Sequence, residues 1–138
     1  MGPALRTLGL SIWFGGGIAV LFGTRAVFAA AGSRKQGGLF SGALLRSFDW
    51  LRLPALCAIC AAVLLGPHKA GVAVLLANLY VAGVLVDLRL RRLRDALGGS
   101  TEGLEAGDPR RKRFGALHGV SVLLLLAQIA AAGFGLLQ

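Results

Sequence analysis

Residues 110–137, Arg110-Arg111-Lys112-Arg113 followed by FGALHGVSVLLLLAQIAAAGFGLL, decide how the rest of the chain is read. Four cations abut a run with no Asp, Glu, Lys or Arg from Phe114 to Leu137. That run exceeds the roughly 20 residues needed to cross a hydrocarbon core of about 30 Å. Residues 7–31, 48–66 and 70–88 read the same way, the second with an amphipathic run-in from Phe48 to Leu53. Hydrophobic residues make up 56% of the chain and charged residues 15%, with mean hydropathy +0.73. A soluble domain of this size needs more polar surface than that. In lipid every backbone N–H and C=O must be satisfied within its own segment, and four spans are too few strands to close a barrel. The expected fold is therefore all-α: an integral membrane four-helix bundle forming a single domain over residues 1–138.

The 15 Lys and Arg set the expected topology. Eight of the fifteen lie between Arg89 and Arg113, and Arg34, Lys35 and Arg46 lie between the first two spans, whereas the Pro67-His68-Lys69 turn holds one. Short basic connectors stay in the cytoplasm. Segments 32–47 and 89–113 are thus expected on the cytoplasmic side of an inner membrane, with both termini and the Pro67-His68-Lys69 turn outside. The net charge of +9 follows from these connectors. Beside apolar spans it reads as a topology signal and a contact for anionic lipids, and no nucleic-acid partner is expected. The first span is too long for a secretory h-region of roughly 7–15 residues, and Arg25 interrupts it, so it is expected to stay in the membrane.

Gly32 to Gly38 reads as a flexible exit from the first helix. Leu39, Phe40, Ala43, Leu44 and Phe48 then recur at helical spacing, which predicts a short interfacial helix before the second span. Trp50 suits the headgroup zone, and Arg52 is expected to snorkel out to it. Pro54 is expected early in the second span. Asp108-Pro109 predicts an N-cap and first helical position well before the fourth span, and residues 97–107 read as a mobile loop.

Gly9, Trp13, Gly16, Val20, Gly23 and Thr24 share one face of the first helix, with Gly17 at its margin. They leave a shallow groove that serves helix packing or holds a ligand or lipid tail. Arg25 projects from the opposite face and is expected at the inner interface. On the third helix Tyr80, Gly83 and Asp87 share a face, and Arg91 follows Asp87 at pairing distance, so an Asp87–Arg91 structural ion pair is expected. Asn78 reads as interhelical hydrogen-bonding glue. On the fourth helix His118, Ser121, Leu125 and Gln128 fall in one arc pointing into the bundle. Trp13, Gly16, Tyr80, Asp87, His118, Ser121 and Gln128 are the candidate functional cluster. Cys57 and Cys60 lie three apart, a spacing that can bind a soft metal. They have no third ligand at matching depth, so small-residue packing is expected and no metal site.

Trp13-Phe14-Gly15-Gly16, Phe28, the Leu45 to Trp50 segment and, above all, Arg113 to Ser121 (RFGALHGVS) together resemble the domain of unknown function 4149 family, the group similar to transmembrane protein 205. The likeness spans most of the chain and implies a compact four-helix membrane bundle. The chain departs from the family's pattern at Arg25 and at Leu124-Leu125. The resemblance implies no activity.

No phosphate-cradling loop, serine elbow or paired-carboxylate site is present. Gly15-Gly16-Gly17 lies inside a helix with no preceding strand. His118 and Ser121 lack an acidic third member at their depth, so no enzyme and no resident cofactor are expected. The expected role is a non-enzymatic bundle that binds a small hydrophobic or cationic ligand, or a subunit of a membrane complex. Assembly as a homo-oligomer is expected, because a bundle this small has little interior. One alternative is an ion or small-molecule transporter or channel using Asp87 and His118. Another is a redox protein with haem held by His118 between subunits, or with a metal.

Overall fold

Each apolar run closes into one long helix. The helices are α1 (Gly2–Ala30), α2 (Arg34–Leu65), α3 (Gly71–Ala96) and α4 (Pro109–Leu136), all four long and apolar enough to cross a membrane. The computed structural model describes residues 1–66, 70–99, 101, 103–105 and 107–138. The expected Pro67-His68-Lys69 turn, the Arg34 side chain, and Ser100, Glu102 and Ala106 of the expected loop lie outside the described residues.

Helix ends follow local chemistry. Asp108 caps α4 by accepting from Arg110 N at 2.7 Å, with Pro109 in the first turn. Arg110 also holds the Asp108 carboxyl below the usual carboxylate range, first by its side-chain hydrogen bond and then by this backbone one. Ser33 caps α2 by accepting from Gln36 N. α3 stops where Gly98 and Gly99 take φ of +68° and +90°, and Gly99 N returns to Arg94 O.

Two expectations for the first connector are corrected. The amphipathic run from Leu39 is no separate interfacial helix, because the Ser33 cap starts α2 early and nothing between Gly38 and Leu53 breaks it. Pro54 consequently sits deep inside this helix rather than near its start. Nor is Gly32 to Gly38 a loose exit. Gly37 is buried inside α2, where any side chain would collide with Phe28 of α1.

Neighbouring helices run antiparallel. α1 packs most extensively on α2, α3 packs on α4 and α1 on α4, while α2 and α3 barely touch. Going round, the order is α2, α1, α4, α3, with a thin seam between α3 and α2. Arg6 Nη2 donates to Gly135 O at 2.8 Å, tying the start of α1 to the last turn of α4, where a cation also complements the helix dipole. Arg94 of α3 reaches the Phe114 ring of α4 at the opposite, basic end.

In the half nearest the termini all four helices share one core, with Leu10, Trp13, Ile59, Leu76 and Ala132 at its centre. In the basic half the apolar cluster is Val20, Phe48, Leu125 and Ile129, from α1, α2 and α4, with Leu90 of α3 buried apart from it. There α3 stands off.

The glycine groove on α1 is filled by α2. Gly9 faces the Ala55 carbonyl and Ile59, Gly16 lies beneath Phe48 and Gly23 meets Leu44. Such close approach is how helices associate where lipid removes the hydrophobic driving force, so the glycines leave no room for a ligand or lipid tail, while Val20 and Thr24 of the same face line a cavity toward the basic end. Asn78 is likewise no interhelical contact. It is exposed, and its Nδ2 donates to Val74 O on its own helix at 2.8 Å.

Candidate functional site

Arg52 organises the interior. Residues 41, 45, 48, 52, 55, 59 and 62 form an alternating three-four stripe on α2, buried at every position but the half-buried Leu45. Arg52 travels inward with them. It is only 9% exposed, so the expected snorkelling does not occur. Its Nη1 donates to Gln128 Oε1 at 2.8 Å, its Nη2 pairs with Asp49, and its Cζ stands 4.9 Å from the Phe48 ring centre and 5.3 Å from that of Tyr80. At 1.5 Å per residue it lies about 20 Å from the end of α2, well inside the span. A cation at such depth costs about 2.5–3.5 kcal/mol on insertion. A charge-assisted hydrogen bond of about 1.5–3 kcal/mol and desolvated cation–π contacts of about 2 kcal/mol offset that cost.

Gln128 is the partner that makes the arrangement four-sided. It is 1% exposed. Its Oε1 accepts from Arg52 and from Trp13 Nε1 at 3.3 Å, and its Nε2 donates to Leu79 O at 3.1 Å. One amide on α4 thus joins α1, α2 and α3. Trp13, fully buried, meets Tyr80 edge to face with ring centres 5.9 Å apart. Arg52, Gln128, Trp13 and Tyr80 form a plug, and the four-helix apolar core lies behind it.

On the basic side of this plug the stand-off of α3 leaves a chamber of about 240 Å³ walled by all four helices. A single water needs roughly 10–15 Å³. Of the candidate cluster, Asp87, His118, Ser121 and Gln128 line the chamber, together with Leu125. Trp13 and Tyr80 belong to the plug, and Gly16 sits apart in the α1–α2 contact. Asp87 pairs with Arg91 at 2.5 Å, as the spacing predicts, and Arg91 also stands 4.0 Å from Asp49. Arg52, Asp49, Arg91 and Asp87 therefore alternate in sign across the α2–α3 seam. Ser41 is 6% exposed and its Oγ has no hydrogen-bond partner among the described residues; Arg52 Nε is also without one. The chamber wall carries four cations, Arg46, Arg52, Arg91 and Arg94, against the two carboxylates of Asp49 and Asp87.

A second cavity of about 230 Å³ adjoins the chamber at the basic end, sharing Phe28, Gly38, Arg94 and His118 as wall. His118 is exposed at this rim, its ring parallel to Phe114 with centres 6.4 Å apart. Arg25 is exposed and lines neither cavity. Cys57 and Cys60 are exposed on the outer surface of α2, and among the described residues no three His, Cys, Asp or Glu side chains converge.

Ser41 and Arg52 are the site residues that sequence patterning passed over. Their signal was the α2 stripe, which Arg52 shares with Phe48 and Ile59. No family model, curated protein or solved structure matches the chain.

Proposed function

We propose that this is a non-enzymatic membrane bundle that binds a small anionic molecule through the cavities at its basic end. In this reading that end faces the cytoplasm from an inner membrane, and both termini lie outside. The reading rests on one observation above all: Ser41, whose buried hydroxyl has no partner among the described residues, lines a chamber large enough for more than water. The excess of cations on that wall favours an anion over the cationic ligand that composition alone allowed. The plug and the apolar core behind it make the chamber blind, which favours binding over conduction. The family resemblance at Arg113 to Ser121, a homo-oligomeric or complex-subunit state, and anionic lipid around the basic connectors belong to the same proposal.

Native mass spectrometry of protein released from its own membrane tests it. Ser121→Phe fills the chamber and is expected to strip a bound small molecule, whereas Ala130→Phe, on the exposed side of the same helix, retains it. Equal retention in both variants contradicts the proposal.

A second reading, transport of an ion or small solute using Asp87 and His118, draws on the charge alternation across the thin α2–α3 seam. It requires that Asp87→Asn abolish flux in reconstituted vesicles without unfolding the protein, and unchanged flux removes it.

A further inference from the structure

We infer that the occupant is a phosphate-bearing acyl amphiphile, held with its phosphate in the outer cavity, its ester oxygen near Ser41 and its chain in the chamber. This rests on the binding reading above and names the ligand class for that site.

The two cavities differ in how their charges are matched. In the chamber, Arg52 and Arg91 have Asp49 and Asp87 for partners. The outer cavity, among the described residues, is lined by Lys35, Arg94, Arg111, His118 and the Thr101 hydroxyl, with no carboxylate. Three permanent cations in about 230 Å³ repel one another until a multiply charged anion joins them. The two guanidinium groups are already positioned. Arg111 Nη1 donates to Leu104 O at 3.1 Å, and Arg94 lies 5.8 Å from the Phe114 ring centre, contacts that engage few of their N–H groups among the described residues. Paired Arg forks with an ammonium and a hydroxyl match the oxygens of a phosphate group.

Depth and order then select an amphiphile over a free anion. Lys35, Arg94 and Arg111 all stand at the basic ends of their helices, where the binding reading puts the lipid headgroups. Along α2 the inward face runs Lys35, Gly38, Ser41, Leu45 toward the plug. Gly38 belongs to both cavities, and a side chain there would meet nothing within 4 Å, so the shared wall is open at that point. Ser41 comes one turn deeper, about 4.5 Å by helical rise, its buried hydroxyl without a partner among the described residues. Beyond it the chamber wall turns apolar at Val20, Leu45, Val84 and Leu125. Phosphate, ester and alkyl chain occur in that sequence in a monoacylglycerol phosphate.

The test titrates three probes against the protein in phosphatidylcholine nanodiscs: monodecanoylglycerol phosphate, monodecanoylglycerol and inorganic phosphate. The phosphate amphiphile is expected to bind at least about tenfold more tightly than either fragment, since each charge-assisted contact is worth about a factor of ten or more. Arg94→Gln and Lys35→Gln should each remove about tenfold of that affinity. Arg113→Gln, which lines neither cavity, should leave it unchanged, with thermal unfolding checking that each variant is folded. Equal affinity for monodecanoylglycerol, equal affinity for inorganic phosphate, or equal damage from Arg113→Gln and Arg94→Gln would each overturn the inference. If no probe binds while Ser121→Phe still strips a native small molecule, the ligand class is wrong and the binding role stands. If Ser121→Phe strips nothing either, both fail.

Discussion

Gln128 makes all three of its hydrogen bonds to other helices, which makes it the most consequential uncharged side chain in the bundle. Gln128→Leu removes a hydrogen bond from the Arg52 guanidinium, the Leu79 carbonyl and the Trp13 indole N–H, of which the indole keeps no other hydrogen-bond partner among the described residues. It should lower stability by about 1–3 kcal/mol in detergent unfolding, the cost of one orphaned group. Asn78→Leu, which loses only a bond to its own helix at an exposed position, should change stability by less than about 0.5 kcal/mol. Arg52→Met strands the Asp49 carboxylate and should cost about 3–5 kcal/mol, while the double variant Arg52→Met, Asp49→Leu should recover most of that loss. A recovery of nothing would mean that the pair does not act as a unit. The contrast between Arg52 and Asn78 shows what sequence reveals here. Both were polar positions near a span, and chemistry alone assigned Arg52 to the interface and Asn78 to the interior. The helical stripe decided the matter the other way, because Phe48 and Ile59 carry Arg52 inward.

Helix contacts tell the same story through size. Gly9 meets a backbone carbonyl, so Gly9→Ala must push α1 from α2 and should destabilise by about 1–3 kcal/mol. Gly15→Ala meets nothing within 4 Å and should be neutral or slightly stabilising, which the same unfolding assay measures. The α4 cap adds a pH dependence. Because Arg110 lowers the Asp108 carboxyl below its ordinary range, the cap contributes fully above the unfolded carboxylate value near 4 and is lost as pH falls through the depressed folded value. Amide exchange at Arg110 and Arg111 should therefore quicken only in acid, and Asp108→Ala should quicken it at neutral pH. The four helices, the Asp108-Pro109 start and the Asp87–Arg91 pair were legible in sequence because each rests on local spacing. The union of the amphipathic run with α2 was not, since polar residues at Arg46, Ser47 and Asp49 resemble an interface boundary whether or not the helix continues. The filling of the α1 groove by Phe48 and Leu44 was hidden for another reason: a row of glycines states that something approaches, and not what.

Across the whole bundle, one asymmetry governs the rest. Four helices close completely around Leu10, Trp13 and Leu76, while α3 contributes nothing to the apolar cluster at the basic end and leaves a charged chamber there. Sequence could place His118, Ser121 and Gln128 on one wall of that chamber but not Ser41 and Asp49 opposite them, because nothing local to α4 announces which helix stands across from it. The sidedness of this chamber is open to measurement by thiol labelling in sealed vesicles, with Cys57 and Cys60 first replaced by alanine. Ser41→Cys should react with a membrane-impermeant reagent applied from the side of the basic connectors, faster with an anionic reagent than with a cationic one, and Ala132→Cys should react from neither side. A Ser41→Cys protein that stays unlabelled from both sides, or that labels from the side of the termini, would contradict a blind chamber opening at the basic end.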